Sequence, residues 1–378
     1  MQSTTFLIVF LAMLTTTFAA DVEPLRFFVG TYTSQEGSKG IYTGRFDVGT
    51  GTLEEPTLAA ECENPAFLAL HPTKPYLYAV SETDKGMLRA FQCNKRSGRL
   101  TPLDEKEVSG QWPCHLALCL SDDGETDAIV VSNYGGSNVV SFPILGSGKI
   151  GKIASDMTHT GSGPNASRQT RPHPHGVYFD ADTKTVAVPD LGIDQVVYYQ
   201  IDLVTAKLSR SQDLPSLRVP AGGGPRHLAA SKDQRFVYVL NELDSTVSVF
   251  DRIAPKYPKI VPSVSTLTEG KDAAALDNTT AEIELHPSGK FLYASNRGDD
   301  SIAVFAVDKV KLTLIQNAPS GGKKPRFFCL DPTGRFLLAC NQDSDNICVF
   351  SVDEETGKLT PTGQSVSVFK PVCIVFAQ

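Results

Sequence analysis

Histidine, arginine and glutamate recur at matched offsets through this chain. Gly224-Pro-Arg-His-Leu is followed by Leu240-Asn-Glu, and Ala281-Glu-Ile-Glu-Leu by Ser295-Asn-Arg. Trp112-Pro-Cys-His-Leu is followed by Ser132-Asn, His173-Pro-His-Gly-Val by Pro189-Asp, and Pro325-Arg-Phe-Phe by Cys340-Asn. Such a set suits general acid–base chemistry. A carboxylate or imidazole can take a proton from water or from a substrate carbon. A guanidinium can stabilise an oxyanion, or grip a carboxylate or phosphate through two parallel hydrogen bonds. His175, Arg226, Glu242 and Arg297 are the catalytic candidates. His173, His227, Glu282, Arg326 and Asn341 are the substrate-binding candidates. No Gly-x-Ser-x-Gly elbow offers a nucleophile, and no glycine-rich loop precedes a helix. No CxxC pair or Cys/His cluster has metal-ligand spacing, so neither metal nor cofactor is expected. Hydrolysis of an activated ester such as a lactone needs little beyond these groups. Binding of an acidic ligand without turnover would use the same ones.

The candidates are positioned by a repeat. Phe236-Val-Tyr-Val-Leu-Asn, Phe291-Leu-Tyr-Ala-Ser-Asn and Phe336-Leu-Leu-Ala-Cys-Asn are equivalent runs, each followed by Thr246-Val-Ser-Val-Phe, Ser301-Ile-Ala-Val-Phe or Asn346-Ile-Cys-Val-Phe. Alternating runs of this kind recur about seven times, at intervals of roughly 45–60 residues, and several strands per unit point to a propeller. Tight turns such as Pro287-Ser-Gly-Lys and Pro332-Thr-Gly-Arg join the first two strands of a unit. Proline presets φ there and glycine accepts a positive one. The chain ends share one unit: Phe27-Phe-Val-Gly-Thr-Tyr, Gly40–Asp47 and Thr52–Leu58 supply its outer strands, and Pro371-Val-Cys-Ile-Val-Phe its innermost. The expected fold is an all-β, seven-bladed β-propeller closed by strands from both termini, which leaves no open edge. Ile253–Thr280 and Met157–Arg171 read as enlarged connections between units.

Strand direction gathers the candidates. The innermost strand of each blade crosses the ring and the second returns, so the start of one and the end of the other share a face. That face collects His115 and Asn133; His173 and His175 with Asp190; Arg226 and His227 with Glu242; Glu282 with Asn296 and Arg297; and Arg326 with Asn341. Structural alternatives stand beside the functional reading. Asn133, Asn296 and Asn341 can cap strand ends, and Arg326 can pair with a glutamate of another blade. His71 and His286 fall on the opposite face and read as structural.

Composition bounds the partners. The 378 residues carry a formal charge of -7 with no basic run, which argues against nucleic acid. The expected partner is a small-molecule lactone, with no membrane association and a monomer or weak oligomer. Phe6–Ala20 is apolar, uncharged and too short to span a bilayer, and small residues end it. Residues 1–20 therefore read as a signal peptide ahead of a propeller domain over 21–378, implying a secreted or periplasmic protein, with the cytoplasm as the alternative. Asn165-Ala-Ser and Asn278-Thr-Thr match the glycosylation pattern. The eight cysteines lie mostly within strand runs, as small buried hydrophobes do, and Cys340–Cys348 is the one conceivable bridge.

At Gly224-Pro-Arg-His-Leu, Leu240-Asn-Glu-Leu-Asp-Ser-Thr-Val-Ser-Val, Ala281-Glu-Ile-Glu-Leu-His-Pro-Ser-Gly-Lys-Phe-Leu-Tyr-Ala-Ser-Asn-Arg and Val29-Gly-Thr-Tyr-Thr, the chain resembles the seven-bladed propeller lactonase family. That family includes a bacterial type of 6-phosphogluconolactonase and the fungal carboxy-cis,cis-muconate cyclase. The resemblance covers essentially the whole chain after the leader. It implies a metal-independent reaction on a lactone or its open acid, in which a His, an Arg, a Glu and a second Arg line the site. By motif these fall on His175, Arg226, Glu242 and Arg297. Glu242 or His175 would activate water, while Arg226 and Arg297 would hold the carbonyl oxygen and an anionic group. A muconate-lactonising cyclase or lyase, or an exported propeller that only binds a ligand or partner, are the alternatives. Export would suit a non-phosphorylated lactone.

Overall fold

A computed structural model describes residues 23–122, 124–252 and 259–377. The expected leader, residues 1–20, lies outside the described residues. The repeated runs form seven antiparallel sheets, the blades of a seven-bladed β-propeller. The innermost strands are Pro371–Ala377, Pro65–Leu70, Pro113–Cys119, Tyr178–Asp180, Pro225–Ala230, Thr279–Leu285 and Pro325–Leu330. Blade one is closed by both ends of the chain: Leu25–Thr31 pairs on one side with Gly40–Asp47 and on the other with Pro371–Ala377, from Arg26 opposite Ala377 to Thr31 opposite Pro371.

Burial follows from the ring. Each blade packs on a neighbour at both faces, so its middle strands are apolar on both sides. Ala128–Asn133, Thr185–Asp190 and Phe236–Asn241 are buried at every position. The outermost strand Leu359–Ser367 has one free edge and alternates with exposed residues. A continuous core runs through the closure, where Phe27, Phe28, Ile41 and Phe46 of blade one meet Leu68 of blade two and Leu338 of blade seven. Each such side chain contributes on the order of 1.5–3 kcal/mol.

One expectation is corrected and two alternatives are closed. Ile253–Thr280 is not only a connection, because Lys259–Ser265 is the outermost strand of blade five; residues 253–258 lie outside the described residues. All eight cysteines are free. Cys340 pairs with Ile347 while Cys348 pairs with Ala339, so the two thiols leave opposite faces of one sheet and cannot meet. Asn278 is buried, and its Nδ2 donates to Ser245 Oγ and Asn296 Oδ1, so the folded protein does not present it for glycosylation. Asn165 is half-buried and folds its Oδ1 back onto the amides of Ser167 and Arg168.

Candidate active site

A β-bulge at the start of the innermost strands builds the site. Pairing skips Ala66 between Pro65 and Phe67, Cys114 between Pro113 and His115, Arg226 between Pro225 and His227, and Arg326 between Pro325 and Phe327. In blade six it skips Ala281 and Glu282, and in the closing blade Val372. A bulge re-aims the unpaired residue. Here Ala66, Cys114, Arg226, Glu282, Arg326 and Val372 all line one axial cavity of about 10 Å³, the room of a single water. His115 of blade three lies 5.1 Å from His227 of blade five, ring to ring. The residues after the bulges thus meet across the axis rather than packing only on adjacent blades.

Glu242 follows the second strand of blade five and is the electrostatic hub. Its Oε1 accepts from Arg168 Nη2 at 2.7 Å, and its Oε2 lies 3.1 Å from both Arg226 Nε and Arg297 Nη2. Burial pushes its carboxyl up, but Arg297, Arg226 and Arg168 override this and hold it at about 2. Arg226 Nη1 also bonds the Ala281 carbonyl, and Arg297 Nη2 donates to the Thr280 carbonyl at 2.8 Å. Both guanidiniums are therefore fixed in direction. Burial lowers the Arg297 guanidinium to about 10 despite Glu242, which still leaves it charged near neutrality. The Nε of Arg297 is buried with no hydrogen-bond partner.

The imidazoles are neutral. Burial, then Arg226 and its neighbours, hold His175 and His227 well below the usual histidine range. Arg226 Nη1 lies 3.2 Å from His227 Nε2, so that nitrogen must be the acceptor. His227 Nδ1–H then donates to Glu282 Oε1 at 2.8 Å. Burial pushes the Glu282 carboxyl up to about 8, opposed by Arg226. His175 differs from both: its Nδ1 is buried without a partner, while its ring lies 5.0 Å from His227 and 5.7 Å from Tyr134. A buried imidazole nitrogen without a partner is a place for water or ligand. The one thiol in the cavity, Cys114, is pushed up to about 12 by burial and stays protonated, which removes it as a nucleophile.

The structure brings His175, Arg226, His227, Glu242, Glu282 and Arg297 together as expected. His173 stacks on Tyr134 at 4.4 Å and donates Nδ1–H to its carbonyl, at the edge of the cluster. Arg326 lines the cavity but is partly engaged, 3.7 Å from Glu82 and 5.4 Å above the Tyr32 ring. Asn341 is not brought in. It is fully buried, and its Nδ2 holds the Ser320 carbonyl where blade six hands over to blade seven. Asn133 and Asn296 do the same at the Val108 and Thr266 carbonyls, so this asparagine is a strand-end clamp. Asp190 is taken by a buried relay, accepting from the His173 amide and facing His159, which in turn meets Tyr199. Among groups not anticipated, Tyr32, Glu82 and Tyr134 sit one residue past a second strand, exactly as Glu242 does, and that offset was the available signal. Arg168 comes from the Met157–Arg171 insertion, where nothing local marks it.

A larger cavity of about 190 Å³ lies between blades four and five, lined by Tyr178, Asp180, Tyr198, Gln234 and Arg252. Its lining holds no buried polar side-chain atom without a hydrogen-bond partner, in contrast to His175 and Arg297 at the axial mouth. Among the described residues no group of His, Cys, Asp and Glu is arranged to hold a metal ion.

Comparison with known proteins agrees with this architecture. Residues 26–376 match the family described as lactonase, seven-bladed beta-propeller. A 6-phosphogluconolactonase of Bacillus subtilis is 35% identical over 92% of this chain and 97% of its own length. One from Formosa agariphila is 32% identical over 90% and 96%. The structure of a periplasmic gluconolactonase from Pseudomonas aeruginosa superposes with a TM-score of 0.85 at 30% identity, covering 94% of this chain and 99% of that one.

Proposed function

Because the chain belongs to the seven-bladed β-propeller lactonase family, we propose that it is a lactone hydrolase, most like 6-phosphogluconolactonase, opening a sugar lactone to its acid. One observation carries the reading. A neutral, buried imidazole with a partnerless Nδ1, His175, stands near Arg226, one of two guanidiniums oriented by one carboxylate, Glu242. That is the equipment for water attack on an ester carbonyl without a covalent intermediate.

In this mechanism water adds to the lactone carbonyl carbon as His175 Nδ1 takes its proton. Arg226 and Arg297 stabilise the oxyanion, a contribution of about 10²–10³ in rate per donor. The acyl–oxygen bond of the ring then breaks, and the proton on His175 passes to the departing ring oxygen, leaving the hydroxy acid. Glu242 serves as the anchor that aims the guanidiniums. Both Glu242 oxygens are taken by guanidiniums, whereas His175 Nδ1 has no partner, so the water-activating role goes to His175. Export belongs to the same proposal, supported by the apolar Phe6–Ala20 stretch. N-terminal sequencing of protein secreted from its host should begin near Asp21, and an intact Met1 start would overturn export.

The test is the opening rate of 6-phosphogluconolactone and of unphosphorylated gluconolactone by residues 21–378, against buffer and the His175→Asn variant, with and without chelator. Acceleration that His175→Asn loses and chelator leaves intact is expected. No acceleration on either lactone would overturn the reading in favour of the cyclase or a ligand-binding role.

A further inference from the structure

Trp112, the single tryptophan of the chain, belongs neither to the core nor to the His175–Glu242 cluster. It directly precedes Pro113, the first residue of the innermost strand of blade three, and therefore stands on the same mouth. It is 40% exposed yet held on several sides. The indole Nε1–H donates to Asp84 Oδ1 at 2.7 Å. Its backbone N–H donates to the Thr83 carbonyl, and its own carbonyl accepts from the Tyr134 N–H. The ring lies against Gly135, where a β-carbon would come within 2.8 Å of Cε3.

Its backbone makes the choice of residue costly. Trp112 has φ of +51°, and the pre-proline residues of other blades share this left-handed conformation: Asn64, Gly224, Lys324 and Lys370. The turn is thus architectural. Elsewhere it is filled by asparagine or glycine, which tolerate it, or by a flexible lysine. A bulky aromatic in this region is an outlier, and two fifths of this one stays open to water. Packing accounts for the buried part of the indole and leaves the open part without a partner. The Trp112 backbone is joined to the cluster through Tyr134, whose N–H bonds the Trp112 carbonyl and whose hydroxyl meets Arg168 Nη2 at 3.1 Å, and Arg168 meets Glu242 at 2.7 Å. A lactone ring at His175 would leave Trp112, on the same mouth, to meet what the lactone carries beyond its first ring.

We propose that Trp112 is the floor of an outer subsite that stacks a second pyranose ring, making glycosylated aldonolactones, derived from disaccharides, preferred over monosaccharide lactones. This rests on the lactonase reading above. The CH-rich face of a pyranose is apolar and flat, the complement of a rigid, water-facing indole flanked by polar acceptors.

With one tryptophan, intrinsic emission reports occupancy of this subsite without turnover. The wild-type chain is titrated with gluconate and with maltobionate, and hydrolysis of gluconolactone and maltobionolactone is followed for wild type, Trp112→Ala and Trp112→Phe. Saturable quenching by maltobionate but not gluconate is expected. The maltobionolactone-to-gluconolactone ratio of kcat/KM should fall about tenfold in Trp112→Ala and largely recover in Trp112→Phe. Gluconolactone turnover with no emission response to maltobionate overturns the subsite and leaves the lactonase reading standing. An equal loss on both lactones in Trp112→Ala also overturns it, by making Trp112 structural. An emission response without hydrolysis of either lactone supports the subsite and overturns the lactonase reading. Neither response nor hydrolysis overturns both.

Discussion

His71 and His175 are the same side chain, nearly equally buried at 2% and 4% exposure, at opposite ends of the propeller axis. Their surroundings could hardly differ more. His71 is saturated: Nε2 faces Asp127 at 3.1 Å and Nδ1 accepts from the amides of Thr73 and Lys74. His286, on the same face, is likewise held by Ser288 and the Gly334 carbonyl. His175 keeps a nitrogen without any partner, and burial, then Arg226, hold the ring neutral. A protein leaves a buried polar atom unsatisfied only at a cost of about 1–3 kcal/mol. One end of the ring therefore uses its histidines to hold blades together, and the other leaves one histidine nitrogen open.

Substitutions at the two ends should separate stability from activity. The largest effect expected is at His175→Asn, where kcat should fall about 10²–10⁴-fold with little change in melting temperature; equal losses in both would erase the distinction. Glu242→Gln should lose both, because it strips a buried charge from three guanidiniums at a cost of about 3–5 kcal/mol. The pH dependence of Glu242 has a definite sign. Its folded value of about 2 lies below its ordinary 4.5, so its stabilisation is complete above that value and drains as pH falls toward 2. Denaturant melts of wild type from pH 6 to 2 should show this loss, and Glu242→Gln should flatten it.

His71→Ala should do the reverse of His175→Asn, costing about 1–3 kcal/mol by depriving the buried Asp127 of a partner while kcat stays at the wild-type value. The smallest effect concerns Glu284, two residues along the strand from Glu282, on the stretch of the axis leading to the His71 end. Burial first, then the charges of Glu282 and Asp331, push its carboxyl up to about 8, against the opposing Leu330 N–H. A raised carboxyl binds its proton more tightly folded than unfolded, so wild-type stability declines as pH rises from about 4.5 to about 8. Glu284→Gln should remove that decline, melting higher than wild type at pH 8 by on the order of 1–2 kcal/mol and close to it at pH 5. A gain of equal size at both pH values would assign the effect to packing instead.

Much of this was legible in the residues. The start of an innermost strand and the end of the second strand share a face in any propeller, so Arg226 with Glu242 could be paired from spacing alone, whereas Glu282 and Arg297 share that face but are held by His227 and Glu242. Asn341 shows the limit of that rule. It occupies the right offset, but its short amide turns to the Ser320 carbonyl, and only the packed chain shows which way a strand-end side chain points. Arg168 shows another limit, since it reaches Glu242 from a long insertion whose path no periodicity encodes.

Local pattern settles the all-β class, the number of blades, the closure by both termini and the face on which the candidate residues gather. Each of these rests on local alternation, turn residues and strand direction, which are properties of short segments. Packing in three dimensions sets the rest: Glu242 is clamped by three guanidiniums, His227 presents its Nε2 lone pair to Arg226, and His175 Nδ1 is left without a partner. Those outcomes depend on burial and on charges contributed by several blades at once. No single segment carries that information, because a proton affinity is set by everything within a few ångströms, and one neighbour of Glu242 is 74 residues away in sequence.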